Sequence, residues 1–408
     1  MQQPKRDRDT EAQDLRMDAK ATCPACGAEG LLIFYEAERV PVHSVLLMAS
    51  REQALHYPKG DIRLGFCDAC GFITNTVFDP TLHEYSSRYE ETQAYSPTFN
   101  EFHHSLAQRL IERYDLHGKD IIEIGCGKGE FLRLLCELGN NRGIGVDPAY
   151  VPERNPGDER VRFIKDFYSE QYAHLRGDFI VCKMTLEHIH AVESFVGMVR
   201  RSIGDKMNAT IFFQLPNVTS ILREIVFWDM YYEHCSYFSK GSLARLFRRC
   251  GFHVHALSTE YNDQYLTIEA TPSRHGESPQ LAEEHDMVEL RSLVRSFASL
   301  YPTTIHKWKH RVACLFDNGK KVVLWGAGSK GVAFLTALGI SYETMPYAVD
   351  INPHKHGTFL AGTGQEIVSP RFLTTYRPDA VIVMNSIYEE EIRKELTELG
   401  VETTLITL

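Results

Sequence analysis

The sequence predicts an α/β protein centred on a doubly wound parallel sheet. A small N-terminal metal module precedes that sheet, and a second, smaller Rossmann-like domain follows it. Three observations predict this. Between Asp120 and Thr271 short apolar runs alternate with stretches of helical spacing, which is the pattern of β-α-β units. Two glycine turns, Gly125-Cys-Gly127-Lys-Gly129 and Gly326-Ala-Gly328-Ser-Lys-Gly331, each follow an apolar run and open a helix. Two Cys-x-x-Cys-Gly pairs, Cys23/Cys26 and Cys67/Cys70, lie near the N-terminus.

The whole chain sets bounds on these elements. At 408 residues it is too long for one ordinary core and is expected to form two or three domains. A net charge of −10 argues against a general nucleic-acid binder. No apolar run approaches the roughly 20 residues that span a bilayer. Residues 1–20 are highly charged, lack the apolar core of a signal peptide, and are expected to form a disordered tail of a cytoplasmic protein.

Four thiolates in two C-x-x-C-G turns suit tetrahedral zinc. A catalytic or redox role is the sharper reading of Cys23, Cys26, Cys67 and Cys70, and a structural zinc site is preferred. Sulfur would fill all four positions, and neither pair lies at a strand-to-helix turn of a β-α-β unit. The zinc-binding module is placed at 21–85, with strands at Tyr35–Ala49 and Ile62–Phe66. Thr81–Asn100 lacks periodicity, contains Pro97 and is expected to be a loop. Phe102, Leu106, Leu110, Ile111 and Tyr114 then mark a helix over Glu101–Asp115.

The central domain is placed at 86–275, with strands at 120–124, 143–146, 161–164, 178–182, 209–214, 252–258 and 264–270. The last two flank a turn and are expected to pair antiparallel at one edge. A connecting helix is placed at 276–316, followed by the C-terminal domain at 317–408. Its strands are expected at 320–324, 346–349, 379–384 and 401–407, and its helices at 329–338 and 387–399.

The first glycine turn has an acid, Glu123, two residues before Gly125. Gly127, Gly129 and then Asp147, at the end of the next strand, complete the set. An acid at that strand end can accept hydrogen bonds from both hydroxyls of a ribose. Glu123, Gly125, Gly127, Gly129 and Asp147 together resemble the S-adenosylmethionine loop of class I methyltransferases, and the terminal strand pair resembles that fold's sheet. The resemblance implies that Asp166, ending the third strand, contacts the adenine amine and that Phe167 lies against the ring. A helix N-cap is the equal alternative for Asp166.

The densest chemical cluster is Trp228-Asp229-Met230-Tyr231-Tyr232-Glu233-His234-Cys235-Ser236-Tyr237-Phe238-Ser239. Methyl transfer to a carbon beside a ketone needs a base for the α-proton and donors for the enolate oxygen. Histidine suits the base, a carboxylate can orient it, and tyrosine hydroxyls can donate. His234, Glu233 and Tyr231 are the candidates; core or lid packing is the alternative for the aromatic residues.

The cysteine pairs, YYEHCSYFS and the C-terminal WGAGSKG and VDINPHKHGTFLAGTG resemble the nucleotide-sugar C-methyltransferase family. Its members methylate a carbon of a nucleoside-diphosphate-linked deoxy-keto-sugar. The resemblance implies His234 as general base with Glu233 and Tyr231 beside it, and places the family's other histidine at His188. Two segments depart from the pattern. EETQAYSPTF stands where a tyrosine-serine stretch is usual, leaving Tyr95 as counterpart, and Tyr261–Leu266 replaces an H-G-G-S-like segment. The acceptor is thus expected to be a small molecule, a nucleotide sugar or something similar. O- or N-methylation of another metabolite is the alternative on the same scaffold. A sensor or bifunctional protein, whose Gly326/Gly328/Gly331 turn binds NAD with Asp350, is the alternative from another class. Lys330, His354 and Lys355 are candidate anion contacts or solvated surface.

Overall fold

A computed structural model of the chain describes residues 15–82, 85–155, 157, 159–273 and 279–408. The N-terminal sheet is antiparallel, built from Arg16–Thr22, Glu29–Pro41, Lys59–Phe66 and Ile73–Asn75. Arg16–Thr22 falls inside the expected tail and is instead an edge strand, with Met17 opposite Leu32. Its backbone borrows the ladder of the longer strand beside it, so it needs no apolar face of its own. The rest of the expected tail, 1–14, lies outside the described residues. The strand expected at Tyr35–Ala49 begins earlier and leaves the sheet at Pro41. The sheet's fifth strand is Ser236–Tyr237, from the middle of the chain, with Ser236 opposite Thr74.

The central sheet has seven strands. In spatial order they are Phe252–Glu260, Tyr265–Pro272, Thr210–Pro216, Phe179–Lys183, Asp120–Ile124, Arg142–Val146 and Val161–Ile164. The five that precede the terminal hairpin in sequence are parallel, and the hairpin pairs antiparallel at one edge. This is the class I methyltransferase sheet. Phe179–Lys183 is buried along its whole length, as a central parallel strand must be.

The helix expected from Glu101 begins four residues earlier, at Pro97. Proline breaks a helix interior but suits its first turn, where the missing N–H has no partner to lose. Ser96 caps it, its Oγ accepting from Phe99 N at 3.2 Å. The connecting helix, Met287–Asp317, continues through Pro302.

The C-terminal sheet is parallel, in the order Glu366–Val368, Tyr347–Val349, Val322–Trp325, Ala380–Val383, Thr404–Thr407. Glu366–Val368 was not expected; three residues carry too little pattern to read. One apolar cluster links all the parts. Phe34 and Leu64 of the first sheet meet Leu222 and Trp228, Phe297 of the long helix, and Phe334 and Leu324 of the last domain. No described helix is long and apolar enough to cross a membrane.

Candidate active site

The four cysteines converge as their spacing implied. Cys23 Sγ lies 3.6 Å from Cys70 Sγ, Cys26 Sγ lies 3.6 Å from Cys67 Sγ, and all four sulfurs fall within 4.8 Å of one another. A tetrahedron of ~2.3 Å zinc–sulfur bonds has edges of about 3.8 Å, so the geometry fits zinc. Gly27 and Gly71, at φ 76° and 77°, make the left-handed turn each knuckle needs. Arg245 Nε donates to Cys70 O at 2.8 Å, which fastens this end of the module to helix Lys240–Arg249.

A cavity of about 550 Å³ lies at the carboxyl ends of the central strands, where ligands bind in doubly wound folds. Its walls come from all three parts of the chain: Tyr85 and Tyr89, the first glycine turn with the Tyr231–His234 loop, and the second glycine turn.

At one end the first glycine turn forms a cradle. Gly125, Gly127 and Gly129 have φ of 69°, 53° and 86°. A Cβ at Gly129 would lie 2.4 Å from Phe163, and one at Gly125 would lie 2.0 Å from Thr185 Oγ1. Asp147 holds the turn: Gly127 N donates to its Oδ2 at 2.9 Å and Ala149 N to its Oδ1 at 2.6 Å. Each oxygen keeps a further lone pair for a ribose hydroxyl. Glu123 Oε2 is buried without a hydrogen-bond partner, and burial pushes this carboxyl up to about 8. A buried carboxyl with one oxygen open, facing a cradle with no room for side chains, fits the ammonium group of S-adenosylmethionine. Lys128 Nζ donates to Tyr89 O at 2.7 Å and pairs with Glu91 at 3.1 Å, tying the chain before the helix onto the turn.

Phe167 lines the cavity, largely exposed. The Asp166 carboxylate instead accepts from Phe167 N, Gln171 Nε2 and Tyr172 Oη at 2.6–2.8 Å. These bonds tie it to the segment that follows, but it is not the N-cap proposed as its alternative: that position before the next helical turn is Ser169.

At the other end three rings meet. The centroid of His234 is 4.1 Å from Tyr231 and 4.9 Å from His188. Burial brings His188 down to about 4, and its Nδ1 has no hydrogen-bond partner. The Glu233 side chain lies elsewhere than expected. His43 Nδ1 is 2.7 Å from its Oε1, Ser44 N donates to Oε2 at 3.2 Å, and Ser44 Oγ donates to Oε2. Despite burial, His43 and Ser44 hold this carboxyl below the usual range. Glu233 still lies close enough to His188 to act on its charge, and a second carboxyl, Glu187, lies near both rings; one of its oxygens and one nitrogen of each imidazole fall within 4.8 Å of one another. Met184, just before it, has φ 47°, a left-handed backbone that costs a non-glycine residue roughly 1–3 kcal/mol.

The second glycine turn faces the same cavity, but its side chains are engaged within the protein. Ser329 Oγ is 2.7 Å from Ser44 Oγ. A hydroxyl has one hydrogen and the Glu233 carboxylate can only accept, so Ser329 donates to Ser44 and Ser44 to Glu233. Lys330 Nζ pairs with Asp229 at 3.0 Å and donates to Gln264 Oε1 at 3.1 Å. Asp350 Oδ2 takes buried Lys355 at 2.9 Å and Oδ1 takes Asn352 N at 2.9 Å. Lys355 is therefore neither solvated surface nor a free anion contact, and Asp350 is occupied where NAD would need it. His354 is exposed beside Tyr95.

Tyr85, Tyr89, His43 and Ser44 escaped the sequence reading, while Lys183 and Glu187 stand in the stretch after the fourth strand that the sequence marks as a candidate ligand-facing segment. Tyr85 and Tyr89 line the cavity together with Tyr95, which is 40% exposed. His43 and Ser44 sit in an ordinary apolar stretch, and only the fold brings them 190 residues along the chain to Glu233. Lys183 Nζ is 2.7 Å from His103 Nε2, and burial brings this lysine down to about 8.

Residues 99–257 match the model of a methyltransferase domain, and residues 272–406 match that of a C-methyltransferase C-terminal domain. C-methyltransferase NovU of Streptomyces niveus is 26% identical over 353 residues, which are 82% of this chain and 83% of that protein. Among solved structures, magnesium protoporphyrin IX methyltransferase of Synechocystis PCC 6803 with bound S-adenosylhomocysteine covers 43% of this chain and 84% of its own, with TM-score 0.35 and 13% identity. N,N-8-amino-8-demethyl-D-riboflavin dimethyltransferase of Streptomyces davawensis covers 43% of this chain and 56% of its own, with TM-score 0.35 and 20% identity.

Proposed function

The chain belongs to the C-methyltransferase family, and from that premise we propose that it methylates a carbon beside the ketone of a nucleotide-linked sugar or similar small acceptor. The observation that carries this reading is the single cavity that joins the glycine cradle to the Tyr231, His188 and His234 rings. When bound, S-adenosylmethionine supplies an electrophilic methyl group on a sulfonium. The cradle, Glu123 and Asp147 hold that donor, with Phe167 beside it. His234 takes the acceptor's α-proton, and the electron pair of the broken C–H bond passes into the enolate. The Tyr231 hydroxyl donates to the enolate oxygen; burial keeps this phenol protonated well above its ordinary range. His188, held neutral, orients the acceptor. Zinc in the four-cysteine site would supply no chemistry, only a fixed module. The protein acts in the cytoplasm on a soluble acceptor, whose nucleotide end lies toward the second glycine turn.

With S-adenosylmethionine carrying a 13C methyl and a nucleoside-diphosphate 4-keto-6-deoxy sugar, the product methyl resonance is expected far upfield of an O-methyl. His234→Ala is expected to lower turnover by at least about 100-fold with donor affinity retained. An O-methyl or N-methyl signal would replace the reading with its alternative. Full turnover by the His234 variant would remove the base assignment.

A further inference from the structure

Glu233 adjoins His234 in sequence, yet its carboxylate is spent on His43 and Ser44. We infer that Glu187, from the turn after the fourth strand, is the proton partner of His234 in the transfer. The inference rests on the reading of His234 as base.

Four observations carry it. Glu187 lines the cavity beside His188 and His234. Its side chain is buried, and among the described residues neither oxygen has a hydrogen-bond partner in another residue. An oxygen of this carboxyl and the nitrogens of both imidazoles fall within 4.8 Å of one another, a separation that acceptor binding can close. Met184 stores backbone strain at the turn that presents it. Burying a carboxyl with nothing to satisfy it is costly, and such groups cluster where chemistry needs them. Burial also pushes Glu187 up to about 8, so it holds or releases a proton near neutral pH.

The step balances. The acceptor's α-C–H bond breaks and its proton goes to His234, while the electron pair forms the enolate. The enolate carbon bonds to the sulfonium methyl as the C–S bond breaks, its electrons remaining on sulfur. The Glu187 carboxylate stabilises the imidazolium and carries its proton out to solvent. One proton is released for each methyl transferred.

Glu187→Gln separates this role from structure. The His234 ring meets His188, Tyr231 and Tyr237, with Glu187 close by; Tyr85 packs against His188 and His43, and the Glu233 carboxylate is held on His43 and Ser44. In protein labelled with 13C at histidine Cε1, the His234 midpoint is expected to shift by about half a unit or more in E187Q, because the carboxyl whose proton is coupled to the ring is lost. Turnover is expected to fall at least about 100-fold, with S-adenosylmethionine affinity by calorimetry unchanged. Glu233→Gln is expected to leave the His234 midpoint nearer the parent value. An unchanged midpoint and turnover in E187Q would overturn the inference while His234→Ala still abolished transfer. A second zinc per chain by elemental analysis, lost in E187Q, would also overturn it, since the carboxylate would then serve a cation.

Discussion

The residue scale is where the donor pocket depends on shape rather than on charge. At Gly129 the backbone is left-handed and the space a methyl would need is taken by Phe163. Gly129→Ala is expected to cost roughly 1–3 kcal/mol in backbone strain and to shift the turn that Asp147 holds. Donor affinity measured by calorimetry should fall at least tenfold, a larger loss than that from Asp166→Ala, whose side chain faces its own turn. The comparison separates a residue that shapes the pocket from one that merely adjoins it.

Between elements, the informative contact is the short strand Ser236–Tyr237, which joins the metal module's sheet directly after His234. Thr74 Oγ1 donates to Cys235 O at 3.0 Å, and Asn75 N donates to Cys235 O at 2.9 Å. Removing metal from Cys23, Cys26, Cys67 and Cys70 would loosen the partner strand Ile73–Asn75, which begins three residues after Cys70. The Tyr231–His234 loop would then lose an anchor, whereas the glycine cradle is carried by the central strand Asp120–Ile124 and the helix Glu130–Gly139. Treatment with a strong chelator is expected to abolish turnover before it abolishes donor binding, followed by paired activity and calorimetric assays. Equal, simultaneous loss of both would mean that the module supports the whole fold and not the loop in particular.

The same scale explains what the sequence made legible. The seven central strands and the Cys-x-x-Cys-Gly knuckles were readable because their signals are local: a run of apolar residues, or four residues in one turn. Pro97 was misread because its meaning depends on whether it stands inside a helix or at its start. Ser236–Tyr237 and Glu366–Val368 were unreadable, since two or three residues become a strand only when a distant partner offers its edge.

Across the whole molecule, the N-terminal sheet, the central domain and the C-terminal domain share one apolar core and one cavity. Trp228 packs against Trp308 and Phe334, so one indole from the central domain and one from the connecting helix report on the joint. Buried contacts of this kind make the parts unfold together. Tryptophan fluorescence and far-ultraviolet circular dichroism are expected to give coincident urea transitions. Two separated transitions would mean that the domains are independent.

The sequence by itself determined the sheet of the central domain, the four thiolates, the first glycine turn and the presence of a histidine-containing cluster. Each of these is encoded by residues within one or two elements, where spacing along the chain equals spacing in the structure. Only the tertiary structure decided where each carboxyl points. Glu233 follows Tyr231 and precedes His234, yet it turns toward His43 and Ser44, while Glu187 arrives from another strand. A side chain's direction is set by the element that carries it and by the partners packed against it, and neither can be read from adjacency in the chain.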